Sequence, residues 1–341
     1  MLKNLRFWLG IAVTLVFLFF ALRNVHFSDV GRALREANYI FILPALAAYF
    51  IGVWFRALRW RFLLKPLRSV SANRLFPTVV IGYLANNVLP LRAGEVVRAY
   101  ILGEQQRLSK MSILGTIVVE RIFDGLALLF FVVVVMLLPF VAMPDWLQTL
   151  AKLAAVVFVG ALAFLFIVAL SEKRTQRLVA IVVRFLPHRL GDQVAGMATR
   201  FVQGFGVLQS PLNLAAVFGT SVLVWLFEAT MYFTMGYAFN LNQPFYVILL
   251  ATAAANLLLT VPSSSGGIGP FEFATKTTLV LFGTAESVAI TYAILLHAVL
   301  LIPVSLLGFF FLWQANLSLA KMISSKDRPA PLPVPAREDK P

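Results

Sequence analysis

Hydrophobic residues occur in long continuous runs that are separated by short polar segments. Six of these runs are long enough to cross a hydrocarbon core of about 30 Å, and each is predicted to be a transmembrane helix, at about 5–22, 40–58, 112–138, 148–170, 213–239 and 286–313. Two further apolar runs, at about 75–90 and 245–261, end near a proline and lead into glycines and polar residues. The pattern predicts an all-α polytopic membrane protein.

The basic residues predict how these runs are oriented, because short cytoplasmic loops are enriched in lysine and arginine. Basic residues follow the second run and also the first broken run, so both places are predicted to be cytoplasmic; those after the second run are Arg56, Arg59, Arg61, Lys65, Arg68 and Arg74. A segment with both flanks on one side does not cross. The first broken run is therefore predicted to be a re-entrant hairpin.

The same reasoning makes 245–283 a second re-entrant hairpin that enters from the opposite face. The predicted fold has about six full transmembrane helices and two re-entrant hairpins, arranged as inverted repeats at about 1–140 and 145–320, with both termini in the cytoplasm. Broken apolar segments at corresponding positions of two inverted halves are typical of transporters. The alternative is a bundle of eight complete spans.

Two segments are predicted to lie outside the spans. Residues 171–212 mix apolar and basic positions, which predicts an amphipathic segment on the cytoplasmic surface. The end of the chain, 321–341, is rich in proline and charge and is predicted to be disordered. Residues 1–320 are predicted to form the transmembrane domain.

Composition agrees with a membrane protein and excludes several chemistries. Of the 341 residues 60% are hydrophobic, whereas soluble domains have about 45–50%. The net charge of +14 is spread over short loops, so we expect no nucleic-acid partner. The chain has no cysteine, which excludes disulfides and a thiolate nucleophile. Its histidines are isolated, and we expect no metal or other cofactor.

The polar residues of the first broken segment are candidates for substrate binding. They are Asn86, Asn87, Arg92, Glu95 and Arg98, within "NNVLPLRAGEVVR". Arginine can hold a phosphate through two parallel hydrogen bonds, so Arg92 and Arg98 are predicted to bind a lipid phosphate. The alternative for both is ordinary cytoplasmic charge.

Ionisable residues inside the predicted spans are also candidates, because their burial is costly unless they are paired or hydrated. Glu120 and Asp124 are four residues apart and share a helical face, close to Arg121 or to an arginine of the hairpin. They form either a structural ion pair or part of a translocation site. Glu228 lies within an apolar span and needs a partner or a proton.

The second broken segment, "ANLLLTVPSSSGGIGPFE", repeats the order of asparagine, proline, glycine and glutamate found in the first. Its hydroxyl groups, its flexible backbone and a helix that begins at Pro270 favour an anion such as phosphate. The alternative is a closely packed turn. The candidate residues are Asn256, Ser263, Ser264, Ser265, Gly266, Gly267, Gly269 and Glu272.

These segments resemble the lysylphosphatidylglycerol synthase transmembrane-region family, whose members are also described as flippase-like. The similar stretches are "FRALRWRFLL", "NNVLPLRAGEVVRAYIL", "SILGTIVVERIFDGLALL" and "VPSSSGGIGPFE". The resemblance implies a protein of the bacterial inner membrane with re-entrant helices that moves a phospholipid or a polyisoprenyl-linked lipid. Founding members carry an aminoacyltransferase domain, which we do not expect after residue 320.

Together these observations predict a lipid translocase that is not an enzyme. Its expected substrate is a membrane lipid with an anionic headgroup or a lipid-linked phosphate. The sequence is compatible with a homo-oligomer and with a complex with a lipid-biosynthesis enzyme. The alternative functions are a membrane-embedded transferase that acts on a lipid-linked substrate, and a non-catalytic partner of a biosynthetic enzyme.

Overall fold

The computed structural model describes residues 5–23, 25–89, 93–138, 188–260 and 265–315, together with scattered positions between 145 and 163. Within the described residues the regular structure is helical, and the predicted all-α class is confirmed there. Outside 145–163 the α-helices are α1 (Leu5–Leu22), α2 (Phe27–Glu36), α3 (Ile42–Leu64), α4 (Ala72–Val88), α5 (Gly94–Gln106), α6 (Lys110–Met136), α7 (His188–Gln203), α8 (Pro211–Ala238), α9 (Phe245–Leu258), α10 (Pro270–Leu281) and α11 (Glu286–Gln314).

Three described segments are long and apolar enough to cross a membrane: Tyr39–Leu64, Pro211–Ala238 and Glu286–Gln314. They contain α3, α8 and α11. Helix α6 has 27 residues, which is about 40 Å, but its apolar sequence is interrupted by charged side chains. The total number of spans stays a prediction, and most of 148–170, part of 171–212 and all of 321–341 lie outside the described residues.

Local sequence signals explain where the long central helices begin. The side chain of Ser109 accepts a hydrogen bond from the backbone N–H of Ser112 at the start of α6. Ser210 does the same for Asn213 at the start of α8, where proline occupies the first helical position. Both are the serine caps that satisfy free amides at a helix start.

Two helical hairpins occupy the positions of the broken apolar segments. The first consists of α4 and α5, and the second of α9 and α10. Their arms have 17, 13, 14 and 12 residues, and at about 1.5 Å per residue none reaches the roughly 30 Å of a hydrocarbon core. The side from which each hairpin enters stays a prediction.

Helix contacts in one half of the chain have counterparts in the other half. Helices α3 and α8 pack against each other; α4 packs on α11, as α9 packs on α6; and α5 contacts α6, as α10 contacts α11. The amphipathic helices α2 and α7 precede α3 and α8, and they pack on α11 and α6 respectively. Each of these contacts made by a helix of the set α2–α6 therefore has a counterpart made by the corresponding helix of the set α7–α11. This is the pattern expected of two repeats.

The first hairpin depends on a close backbone approach at Gly94. Its N–H donates to Asn86 Oδ1 at 2.8 Å, and a Cβ atom there would collide with the carbonyl of Gly82 and the side chain of Asn86. Gly94→Val should therefore lower the free energy of unfolding by about 1–3 kcal/mol, as for other overpacked sites. The melting temperature in detergent measures this.

The matched control is Gly219→Val. Gly219 lies in α8, and nothing lies within 4 Å of the Cβ position. That variant should melt close to the unchanged protein. Equal melting temperatures for the two valine variants would contradict the close approach of α4 and α5.

Candidate functional site

A buried cluster of charged side chains lies where α3, α5, α6 and α8 meet. It contains four guanidinium groups and three carboxylates, those of Arg56, Arg59, Arg98, Arg121, Glu120, Asp124 and Glu228. With every group ionised, these seven groups carry a formal charge of +1. Glu95 on α5 is a further half-buried carboxylate near Arg121, and with it the positive and negative charges are equal in number.

Glu120 lies at the centre of this cluster. Arg98 donates two parallel hydrogen bonds to its two carboxylate oxygens, each 2.9 Å long. Arg121 Nη2 lies 2.5 Å from Glu120 Oε1, and Arg59 Nη2 lies 3.4 Å from the same oxygen. One buried carboxylate thus faces three guanidinium groups. Both neighbours considered for Glu120 from the sequence, Arg121 and a hairpin arginine, are present.

Asp124 joins α6 to α3 and α8. Arg59 Nη1 donates to Asp124 Oδ1 at 2.6 Å, and the indole Nε1 of Trp225 donates to the same oxygen at 3.0 Å. Arg121 Nη1 lies 3.3 Å from Asp124 Oδ2. The carboxylate therefore cross-links three helices.

Glu228 is paired with groups from α3 and α9. Arg56 Nη2 lies 2.6 Å from Glu228 Oε2, and the side-chain amide of Asn256 donates to Glu228 Oε1 at 2.9 Å. The same amide lies 3.4 Å from the hydroxyl of Tyr232. Glu228 was predicted to need a partner or a proton. Its partner is Arg56, which was predicted to lie in the cytoplasmic segment after the second apolar run.

Aromatic rings fix the orientation of two of the arginines. The guanidinium carbon of Arg98 lies 4.1 Å from the ring centre of Trp60, and that of Arg56 lies 4.6 Å from Trp225. Trp60 in turn donates to the hydroxyl of Thr116. Stacking on an aromatic face favours a cation and limits its rotation. These guanidinium groups are held in place from two directions.

A cavity of about 120 Å³ lies between the charged cluster and the tips of the two hairpins. Its wall includes Arg121, whose side chain is 43% exposed, whereas that of Arg59 is fully buried. Other charged or polar residues on the wall are Arg56, Arg98, Glu95, Glu228, Asn86, Asn87, Asn256 and His297, and the aromatic ones are Tyr49, Tyr83, Trp225, Tyr232 and Phe271. The described residues contain no group of three or more His, Asp or Glu side chains that could hold a metal ion. The arginines of the wall can pair with an anionic group. Its asparagines and aromatic rings can contact a polar or cyclic group next to that anion.

The tip of the second hairpin is tied to α11. The N–H of Gly269 donates to Glu272 Oε2 at 2.7 Å, so this carboxylate caps its own helix. The other oxygen, Glu272 Oε1, lies 2.6 Å from His297 Nδ1, and His297 Nε2 lies 3.0 Å from the carbonyl oxygen of Gly266. Phe271 stacks on the imidazole, with ring centres 4.1 Å apart. The predicted anion site at this helix start is therefore already occupied in part by Glu272.

The asparagines of the first hairpin hold its tip. Asn86 accepts the hydrogen bond from Gly94. The side-chain amide of Asn87 donates to Ser305 Oγ at 3.0 Å and lies 3.5 Å from the carbonyl oxygen of Leu301, both in α11. These amides are structural contacts as well as cavity walls.

The remaining predicted site residues fall into two groups. Arg92, Ser263 and Ser264 lie outside the described residues. Ser265, Gly266 and Gly267 form a short 3₁₀ turn beside the cavity, and Gly266 and Gly267 line it. Glu95 is half-buried and also lines the cavity.

Arg56 and Arg59 do not lie in a loop after the second apolar run, and the side of the membrane to which they are nearest stays a prediction. Helix α3 continues six residues beyond the apolar run at 40–58 and ends at Leu64. Both arginines are therefore buried inside the bundle. Arg98 is also buried, so it is not a loop charge, and Glu120 occupies both ends of its guanidinium group.

Sequence reasoning missed several residues of the site. Arg56 and Arg59 are three positions apart, which places them on one helical face, and Trp60 follows directly. That spacing was the signal that α3 extends through "FRALRW". His297 was set aside as one of the isolated histidines, although it lies in an apolar helix where an imidazole needs a polar partner.

The chain is similar to a defined group of membrane proteins. A family model described as "Lysylphosphatidylglycerol synthase TM region" matches residues 7–308. A "UPF0104 membrane protein" of Methanothermobacter thermautotrophicus is 27% identical over 261 residues, which are 72% of this chain and 76% of the relative. A second one from that organism is 26% identical over 305 residues, 83% of this chain and 86% of the relative. No solved structure matches the chain significantly.

Another relative corrects one prediction. A protein of Haloferax volcanii named "Glycosyltransferase AglD" is 28% identical over 322 residues, 85% of this chain and 51% of the relative. The chain thus spans about half the length of a relative with an enzyme name, and the prediction that it is not an enzyme is overturned. These relatives are archaeal, and a bacterial inner membrane stays a prediction.

Proposed function

The chain belongs to the lysylphosphatidylglycerol synthase transmembrane-region family, and on that premise we propose that it moves a membrane lipid with a phosphate-bearing headgroup across the bilayer. The observation that carries this proposal is the cavity between the charged cluster and the hairpin tips, whose wall includes the partly exposed side chain of Arg121. Arg121 is the exposed cation of an otherwise buried cluster, so an anionic headgroup gains the most binding free energy by pairing with it.

Charge supports a phosphate as the bound group. Arg121 has the most exposed side chain of the four arginines, at 43%, so a headgroup phosphate with one negative charge would pair with it directly. Burying an unbalanced charge is costly, and a paired one much less so. A phosphate at Arg121 replaces contacts to Glu120 and Asp124, which keep Arg98 and Arg59 respectively as partners.

The architecture supports movement of a lipid. We propose six full spans with two re-entrant hairpins in inverted repeats, both termini in the cytoplasm, and 171–212 on the cytoplasmic surface. The paired helix contacts and the short hairpin arms support this arrangement. In it the headgroup occupies the cavity while the lipid tail stays in the bilayer.

Arg121→Ala is the test of this function. Losing one charge-assisted contact of about 1.5–3 kcal/mol should slow lipid movement by about tenfold or more, while the protein stays folded because Arg121 is the exposed member of the cluster. Purified protein is placed in vesicles that contain a phospholipid with a fluorescent headgroup label. Bleaching by a membrane-impermeant reductant then measures the transfer rate between leaflets.

The matched control is Arg61→Ala, which removes an exposed arginine at the end of α3. Its transfer rate should equal that of the unchanged protein. If Arg121→Ala and Arg61→Ala transfer the lipid equally well, Arg121 is not part of the translocation site.

A second candidate function is a transferase that acts on a lipid-linked sugar. The relative named as a glycosyltransferase favours it, and so do the aromatic rings of the cavity, since rings can pack against a sugar. Incubation of the purified protein with lipid-linked sugars, followed by mass spectrometry, distinguishes the two. A changed lipid mass supports the transferase, and transfer between leaflets without a change in mass supports the translocase.

A further inference from the structure

Tyr49 on α3 is a buried residue whose hydroxyl group forms no hydrogen bond with the described residues. The residue is 6% exposed and lines the cavity. Tyr292, which does not line the cavity, shows the usual arrangement of a buried tyrosine, since its hydroxyl donates to the carbonyl oxygen of Tyr232 at 2.7 Å. A buried polar group without a partner is costly. The hydroxyl of Tyr49 therefore needs a partner within the cavity.

Groups next to Glu228 also keep unused hydrogen-bonding capacity. The amide nitrogen of Asn256 donates to Glu228 Oε1 at 2.9 Å and to the carbonyl oxygen of Thr252 at 3.0 Å. The carboxamide oxygen of Asn256 has no partner among the described residues, so it remains an acceptor. The hydroxyl of Tyr232 lies 3.4 Å from the same amide nitrogen, and it donates to none of the described groups. Both residues line the cavity.

One face of α4 adds three more such groups. Asn86 Oδ1 accepts from the backbone N–H of Gly94, so the amide nitrogen of Asn86 remains a donor. Asn87 donates to α11 through its amide nitrogen, so its Oδ1 remains an acceptor. Tyr83 lies one turn before them, and its hydroxyl has no partner in the described part of the chain. All three residues line the cavity, which therefore presents unused donors and unused acceptors together.

This combination of donors and acceptors selects among headgroups. An ammonium group only donates hydrogen bonds and a phosphate diester only accepts them, whereas each hydroxyl group does both. We propose that the headgroup phosphate in this cavity is esterified to a polyol, such as an inositol or a hexose, and that Tyr49 and Tyr83 bind its hydroxyl groups. The proposal rests on the proposed function, because it names the headgroup class that the same cavity takes.

The polyol-binding groups adjoin the phosphate position at Arg121. Arg121 Nη1 lies 3.3 Å from Asp124 Oδ2, and Arg56 Nη1 lies 4.0 Å from Asp124 Oδ1. The two guanidinium groups thus share one carboxylate. The guanidinium carbon of Arg56 lies 5.7 Å from the ring centre of Tyr83. A polyol attached to a phosphate at Arg121 therefore has tyrosine and asparagine side chains on the adjoining part of the wall.

Three short-chain phospholipids of equal charge separate the contribution of the hydroxyl groups from that of the phosphate. Phosphatidylinositol, phosphatidylglycerol and phosphatidylpropanol each carry one negative charge, and their headgroup hydroxyls decrease in number in this order, to none in phosphatidylpropanol. Isothermal titration calorimetry of the full chain in detergent gives the Kd of each lipid. We expect phosphatidylinositol to bind about tenfold more tightly than phosphatidylpropanol, the effect of one or two hydrogen bonds. Phosphatidylglycerol should lie between them.

Tyrosine-to-phenylalanine substitutions show whether the named side chains cause this preference. The double variant Tyr49→Phe, Tyr83→Phe keeps both rings and removes both hydroxyls. It should bind phosphatidylinositol several-fold more weakly, with an unchanged Kd for phosphatidylpropanol. The matched control is Tyr237→Phe, because Tyr237 is 51% exposed and does not line this cavity. That variant should keep the full preference.

The inference is overturned if the unchanged protein binds the three lipids with equal Kd. It is also overturned if the double phenylalanine variant keeps the full preference for phosphatidylinositol. If the double variant does not fold, the two single variants take its place under the same criterion. A preference for phosphatidylinositol in a protein that moves no lipid between leaflets would support the polyol site and refute the proposed translocation. Equal transfer rates for phosphatidylinositol and phosphatidylpropanol, together with equal Kd, would refute the polyol site and leave translocation in place.

Discussion

Glu120→Ala is expected to lower the free energy of unfolding by about 3–5 kcal/mol, the usual cost of leaving a buried charge without its partner. The substitution removes the carboxylate that Arg98 binds with two hydrogen bonds and that Arg59 and Arg121 also face. Since Arg59 is fully buried, water cannot replace the lost carboxylate there. Thermal unfolding in detergent, followed by tryptophan fluorescence, measures the effect.

The matched control is Glu104→Ala. Glu104 pairs with Lys110 at 3.0 Å, but its side chain is 60% exposed, and exposed pairs contribute only about 0–1 kcal/mol. The cluster would not be the main electrostatic contribution to stability if both alanine variants melted at the same temperature. Glu120→Gln should lie between them, because it keeps an acceptor and loses the charge.

The second large effect is expected when Arg56 is replaced alone. Arg56→Met leaves Glu228 buried with Asn256 as its remaining described partner, and we expect a loss of about 3–5 kcal/mol. Adding Glu228→Leu removes the unpaired charge. The double variant should therefore recover most of the melting temperature, since apolar replacements of a buried pair are often neutral in stability.

Function should not recover with stability. Both Arg56 and Glu228 line the cavity, so the double variant should fold and still fail to move lipid in the vesicle assay. Normal lipid transfer by the folded double variant would show that this pair is purely structural. A double variant no more stable than Arg56→Met would show that the two side chains do not depend on each other.

The sequence predicted that the carboxylates inside the spans need cationic partners, but it did not predict which arginines these partners are. Glu120 and Asp124, four residues apart, were expected to share a face and meet an arginine, because charges inside an apolar span are costly. The structure adds that Arg59 serves both of them. Such a choice depends on a contact between residues 65 positions apart in the chain, and no local pattern contains that information.

The location of Arg56 and Arg59 could not be predicted by counting basic residues. The positive-inside rule assigns charges near the end of an apolar run to a loop, and the run at 40–58 ends next to both arginines. Helix α3 instead continues to Leu64, because carboxylates on α6 and α8 stabilise the buried charges. The hairpins, by contrast, were visible in the sequence, since prolines and glycines interrupt the apolar runs.

The pairing of α3 with later helices has a consequence for biogenesis. As a span on its own in the bilayer, α3 carries two arginines that each disfavour insertion by up to about 2.5–3.5 kcal/mol. Asp124 is 65 residues downstream of Arg59, and Glu228 is 172 residues downstream of Arg56. Throughout the synthesis of those residues, the nascent α3 lacks the carboxylates that neutralise it. Its stable insertion therefore depends on the ribosome completing α8, or on an insertase that shields the two charges until then.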